Sequence, residues 1–253
     1  MTPCPASTIH ATASLPGVGT LRSPSMRDAL PPGPVAVVLD FDGVILDSET
    51  PEFEAYRRVF ARYGATLTEA EWTGQVGVWA EGQSRHWHRR LCGLSTRAPA
   101  LDAFDAERRR LFLELLPADP MPGIPALLDA LDREGVPVAI ASTSPARWVM
   151  EAAARLGIVP RIRTIVTADD VVNRKPAPDV YLEATRRLQV APARSVAVED
   201  SGPGLAAALD AGLRTVAIPH RLTSQHDFSR AHLRLASATQ LTLDVLRALT
   251  ASG

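Results

Sequence analysis

The sequence predicts an α/β fold in which a parallel sheet carries helices on both faces and is interrupted near its start by an inserted α-helical block. Three observations point there. From Met121 onward, strand-length apolar runs alternate with helix-length segments, and alternating units of this length imply parallel strands with both faces covered. The first apolar run, Val35 to Leu39, is largely β-branched without polar alternation, as in a strand buried on both sides. Between about Pro51 and Leu116, β-branched runs are few and apolar residues recur at helical spacing.

Taken in order, the elements follow from local pattern. After the Val35–Leu39 strand, Phe53, Tyr56, Val59, Phe60 and Tyr63 recur at three- and four-residue steps, with Gly64 as the stop. Thr68 to Val76, Gly82 to Leu91 and Ala100 to Leu116 read as further helices. Acidic and basic side chains nearly balance in this block, and Arg108-Arg109-Arg110 is expected to be an exposed helix face, as are Arg85, Arg89 and Arg90. Helices are then predicted at Ile124–Glu134, Ala146–Leu156, Pro178–Leu188 and Leu205–Ala211. Strands are predicted at Pro137–Ala141, Arg163–Thr167, Ser195–Val198 and Thr215–Ile218. The expected organisation is an α/β core from 34–48 and 119–253, a helical insertion at 49–118, and a disordered extension at 1–33.

Composition excludes several function classes. The 253 residues carry a formal net charge of −1, so no global field draws the chain to nucleic acid or anionic lipid. The apolar runs are too short to span a bilayer. Residues 1–33 are rich in Pro, Ser, Thr and Ala and lack the apolar core of a signal peptide; Met26 is an alternative start. Two distant cysteines, Cys4 and Cys92, fit a reducing cytoplasm better than a disulfide framework. Of the 27 basic residues, Lys175 is the single lysine.

Ligands of open parallel sheets bind beyond the carboxyl ends of the strands, and four such ends carry polar groups here. Asp40 and Asp42 end the first strand and Gly43 follows, allowing a sharp turn and close backbone approach. Ser142, Thr143 and Ser144 end the second, before a helix start that favours an anion. Lys175 lies in a proline-rich loop ahead of a helix. Glu199 and Asp200 end another buried strand, before Gly-Pro-Gly. If these ends converge, four carboxylates face one ammonium, and the cluster repels itself unless a cation intervenes. Oxygen-only donors point to Mg²⁺. A carboxylate nucleophile, a second carboxylate, hydroxyls and a divalent cation suit phosphoryl transfer through an aspartyl-phosphate.

Four segments, Asp40-Phe-Asp-Gly-Val44, Ala141-Ser142, Lys175-Pro and Glu199-Asp-Ser201, resemble the four motifs of the haloacid dehalogenase-like superfamily. Asp47-Ser-Glu49, Met121-Pro-Gly123 and Lys175-Pro-Ala-Pro-Asp-Val-Tyr-Leu182 resemble its phosphatases and mutases related to β-phosphoglucomutase. The resemblance runs from about Val35 to the end of the chain. It implies a Rossmann-like core with a helical cap, Asp40 as nucleophile and metal ligand, and Asp42 as general acid/base and ligand through its carbonyl. It further implies that Ser142 and Thr143 bind phosphoryl, that Lys175 neutralises it, and that Asp200 and Glu199 hold the metal. The implied enzyme is a cytoplasmic phosphatase of a small phosphorylated metabolite such as a sugar phosphate, a monomer or weak homodimer.

A β-phosphoglucomutase-type isomerase is the alternative. Those mutases place a histidine where Glu52 stands and an arginine where Ala80 stands, so hydrolysis is favoured. A binding module would lack a catalytic group, and none is missing. Trp72, Trp79 and Trp87 lie in the helical block; Trp79 is a candidate stacking surface for a sugar face.

Overall fold

A computed structural model describes residues 36–74 and 82–251. The expected 1–33 extension, the candidate Trp79 and the mutase-distinguishing Ala80 lie outside the described residues. The core opens with β1 (Ala36–Leu39). Among the described residues, four helices follow as an insertion: α1 (Glu49–Arg62), α2 (Glu69–Thr73), α3 (Gln83–Leu94) and α4 (Leu101–Leu115). The chain then alternates through α5 (Ile124–Arg133), β2 (Val138–Ala141), α6 (Ala146–Arg155), β3 (Thr164–Val166), α7 (Asp179–Leu188), β4 (Ser195–Glu199), α8 (Gly202–Asp210) and β5 (Arg214–Ala217). It closes with β6 (Leu233–Arg234) and α9 (Leu243–Ala251).

The six strands are all parallel, in the order β3-β2-β1-β4-β5-β6. Strand pleating sends alternate side chains to opposite faces. Val37, Leu39, Val138, Ile140, Val196 and Val198 pack on one face against Leu127 and Leu131 of α5, Val149 of α6 and Leu246 of α9. Val38, Ala139, Ala141 and Ala197 meet Val180, Tyr181 and Ala184 of α7 and Ala207 and Ala208 of α8 on the other. The central strands are therefore buried on both sides, which is why they read as unbroken apolar runs.

The insertion has its own aromatic core. Phe53, Tyr56, Val59 and Phe60 of α1 face Trp72, Trp87, Leu91 and Phe104. The Trp72 and Trp87 rings stack at 5.4 Å and 22°, so both tryptophans serve packing. A Thr68–Glu71 capping box starts α2.

Two parts of the sequence reading change. The arginine run is not a uniform exposed face: Arg108 is half-buried and donates to both oxygens of Glu52 at 2.8 and 3.0 Å. Arg110 is exposed and pairs along its own helix with Glu114. The register of α4, not its composition, turns Arg108 inward. Beyond Ile218, β6 and α9 extend the fold; a two-residue strand has no periodicity to read.

Candidate active site

Strand register brings the polar ends together. Leu39 of β1 aligns with Ile140 of β2 and with Val198 of β4, so Asp40 emerges between Ala141–Ser142 and Glu199–Asp200. The Asp40 N–H continues the ladder by donating to the Val198 carbonyl at 3.0 Å. Gly43 then turns at φ +83°, and a Cβ there would run into the Asp200 carboxylate. Glycine thus provides both the turn and the close approach. At the insertion boundary, Asp47 accepts from the Thr50 N–H at 3.0 Å at the start of α1.

Lys175 sits at the bottom of the site. Its Nζ donates to Asp40 Oδ1 at 2.7 Å, to Glu199 Oε1 at 2.7 Å and to the Ala141 carbonyl at 2.9 Å. All three ammonium donors are matched, as burial demands. Burial opposes the charge, yet the Asp40 and Glu199 carboxylates outweigh it and hold the pKa above the ordinary lysine value. Glu199 Oε1 also accepts from the Tyr181 hydroxyl, and its Oε2 accepts from Ser201 Oγ at 3.2 Å. Gly204 leaves room for that carboxylate, which a Cβ would overlap.

Asp40, Glu199 and Asp200 offer oxygens that lie within 4.8 Å of one another. Burial raises the pKa of Asp40 and of Asp200 well above the carboxylate range; Lys175 opposes the rise at both, and Glu199 adds to it at both. When all three ionise, three buried carboxylates beside one ammonium leave two negative charges, which a hard divalent cation would balance. The all-oxygen donor set fits magnesium. Because both Glu199 oxygens already accept from Lys175, Tyr181 and Ser201, Asp40 and Asp200 have more oxygen left to offer. Asp200 Oδ2 also lies 3.0 Å from His220 Nε2, a ring whose pKa burial lowers.

Asp42 faces a different environment. Its Oδ1 accepts from Ser48 Oγ at 2.6 Å and from Trp148 Nε1 at 3.0 Å. Its Oδ2 accepts from Ser144 Oγ at 2.6 Å, with Ser142 Oγ at 3.5 Å. Asp40, Asp42, Ser142, Thr143 and Lys175 line one wall of a cavity of about 470 Å³. Glu49, Glu52, Gln83, Arg108 and Phe112 of the insertion line the opposite wall. The structure thus brings together every described candidate, Asp40, Asp42, Ser142, Thr143, Lys175, Glu199 and Asp200.

The haloacid dehalogenase-like hydrolase family matches residues 35–212. This chain belongs to that family. It is 33% identical over 197 residues to the "phosphorylated carbohydrates phosphatase" of Thermotoga maritima, covering 72% of this chain and 83% of that protein. It is 31% identical over 218 residues to protein CbbY of Rhodobacter capsulatus, covering 81% and 96% respectively. The crystal structure of a Rhodobacter sphaeroides CbbY variant in complex with xylulose-(1,5)bisphosphate matches with a TM-score of 0.66 at 26% identity, over 84% of this chain and 99% of that one. The relatives of this hydrolase thus include a protein named as a phosphatase of phosphorylated carbohydrates.

Site residues of this hydrolase to which the sequence reading gave no role are Trp148, Tyr181 and His220. Trp148 had a signal: it lies one helical turn beyond Ser144, on the helix that starts at a candidate strand end. Tyr181 lay inside the Lys175–Leu182 segment that carries the family resemblance, although no role was read for it; His220 had no signal, because its partner is brought near only by folding.

Metal binding should depend on pH with a defined sign. The folded-state pKa values of Asp40 and Asp200 lie above their unfolded ones, so the native state holds extra protons between the two and loses stability as pH rises. Once ionised, the buried carboxylates repel, and a cation relieves them. Thermal melts with magnesium or with chelator at about pH 5 and about pH 8 should show the larger magnesium-induced rise in Tm at the higher pH. An equal rise at both, or none, contradicts this assignment.

The Lys175 pocket is matched to an ammonium held by three acceptors, and a planar, forked guanidinium cannot reproduce that arrangement. Lys175→Arg is expected to lower kcat/KM by at least ~10²-fold, about 2.7 kcal/mol of transition-state stabilisation. Near-wild-type kinetics would show that a compact charge is not required.

Proposed function

We propose that this hydrolase is a magnesium-dependent phosphomonoester phosphatase that works through an aspartyl-phosphate on a small phosphorylated carbohydrate. The supporting observation is the buried Lys175 bridge, which fixes the Asp40 carboxylate at the floor of a cavity where Asp42 is presented beside it. An Asp40 oxygen attacks phosphorus while the bond to the substrate oxygen breaks. Asp42 gives a proton to that oxygen as the alcohol leaves. Water then attacks the phosphoryl group, Asp42 takes a proton from it, and the bond from phosphorus to Asp40 breaks, releasing phosphate and restoring both side chains.

The other groups follow from position. Ser142 and Thr143 bind phosphoryl oxygens, and Lys175 offsets their charge. Magnesium, held by Asp40, Asp200 and the Asp42 carbonyl with Glu199 in support, would add positive charge where the phosphoryl oxygens gather. The helical insertion acts as a cap that excludes water and selects the leaving group. A carbohydrate substrate agrees with the relative named as acting on phosphorylated carbohydrates and with the CbbY complex with a sugar bisphosphate.

Phosphate release from an aryl phosphate should require magnesium and stop on chelation, and Asp40→Asn should abolish turnover. Equal rates with and without chelator would remove the metal from the reaction, and an active Asp40→Asn enzyme would remove the covalent step.

Hydrolysis is favoured over isomerisation because Glu52, where the mutases carry a histidine, is tied to Arg108 by two hydrogen bonds. Incubation with β-glucose 1-phosphate and a trace of the 1,6-bisphosphate should yield no rapid build-up of glucose 6-phosphate. Its accumulation without free phosphate would reverse the assignment.

A further inference from the structure

Trp148 lines the cavity and reaches the candidate acid/base from α6. Its indole N–H donates to Asp42 Oδ1 at 3.0 Å. Hydroxyls complete the grip, Ser48 Oγ on Oδ1 and Ser144 Oγ on Oδ2, each at 2.6 Å, with Ser142 Oγ at 3.5 Å from Oδ2. The indole plane is itself fixed by two aromatic neighbours. Phe41, the residue between the two aspartates, meets it edge-on with centroids 6.5 Å apart and planes at 85°. Phe112, on α4 of the insertion, lies against it at 5.3 Å.

These donors are not equivalent. A serine hydroxyl rotates and can either donate or accept, whereas the indole N–H only donates. Oδ1 therefore stays an acceptor towards Trp148, while the serine hydroxyls can turn to accept from the carboxyl group when it carries a proton. The terminal torsion of an aspartate is broad and two-fold, so without a fixed donor the carboxyl group samples orientations that do not face the leaving oxygen. Proton transfer needs that oxygen within hydrogen-bond reach.

We propose that Trp148 is a positioning residue for proton transfer by Asp42, and that its packing on Phe112 ties this orientation to the helical insertion. The proposal rests on the reading of Asp42 as general acid. The ring links three elements, the β1 end, the start of α6 and α4, so displacement of the insertion alters the support of the indole and hence the aim of the carboxyl group.

The test uses the leaving group as its readout. An aryl phosphate releases a phenolate that is stable without a proton, whereas an alkyl phosphate such as glycerol phosphate releases an alkoxide that is not. Because kcat/KM reports only the steps through formation of the aspartyl-phosphate, it isolates the leaving-group proton transfer. Trp148→Phe keeps a ring between Phe41 and Phe112 and removes the N–H. It should lower kcat/KM about tenfold or more for the alkyl phosphate and less than about threefold for the aryl one, a fraction of the ~10²–10⁴ that acid–base catalysis supplies. Phe112→Ala, which loosens the ring without touching Asp42, should give the same selective pattern at smaller amplitude. Asp42→Asn is the reference and should show the strongest selectivity. If Asp42→Asn lowers both substrates equally, the general-acid reading itself fails. If Asp42→Asn is selective but Trp148→Phe lowers both equally or neither, the role of Trp148 is overturned. A selective Trp148→Phe with a uniform or absent Phe112→Ala effect overturns the link to the insertion.

Discussion

An ammonium buried between two carboxylates organises the rest of this molecule. Lys175 Nζ is held by Asp40, Glu199 and the Ala141 carbonyl, and each contact comes from the end of a different parallel strand. Removing one partner of a buried ion pair leaves an uncompensated charge, which costs several kcal/mol. The three strand ends and the loop before α7 are therefore fixed relative to one another by one charged group. Glu199 is in turn held by Tyr181 and Ser201, so it fixes the lysine while Asp40 and Asp200 face the cavity.

The asymmetry of the sheet serves that arrangement. The face covered by α5, α6 and α9 is built from larger aliphatic side chains. The face covered by α7 and α8 is built largely from alanine, including Ala139, Ala141, Ala197, Ala184, Ala207 and Ala208. Small side chains allow helices to approach closely at native packing density, and that closeness carries Tyr181 and the loop of Lys175 under the ends of β1 and β4. Gly43 and Gly204 extend the same principle to the site, where added methyl groups would strike Asp200 and Glu199.

The insertion is joined to the core by more than its two chain crossings. Leu222, from the segment after β5, is buried in the aromatic core of the insertion, and the neighbouring Arg221 pairs with Glu69 of α2. The stacked tryptophans give that unit a rigid interior, while its cavity wall carries Glu49, Glu52, Gln83 and Arg108.

By itself the sequence determined the alternating α/β architecture and pointed to helices after the first strand and to polar groups at the strand ends. Unbroken β-branched runs, helical spacing and glycine stops report local structure, and an acidic pair closing a buried strand repels itself unless something cationic sits between the carboxylates. Asp40, Asp42, Ser142, Lys175, Glu199 and Asp200 were legible for that reason. Tertiary structure alone decided which donors each carboxylate meets. Asp42 and Trp148 are separated by 106 positions, and Lys175 and Asp40 by 135; no local pattern encodes such pairings. It likewise decided that Arg108 turns inward to Glu52 rather than to water, and that two residues after β5 complete the sheet as β6. Propensity and periodicity act between sequence neighbours, whereas hydrogen-bond partners and burial are set by strand register and helix packing, which exist only once the chain has folded.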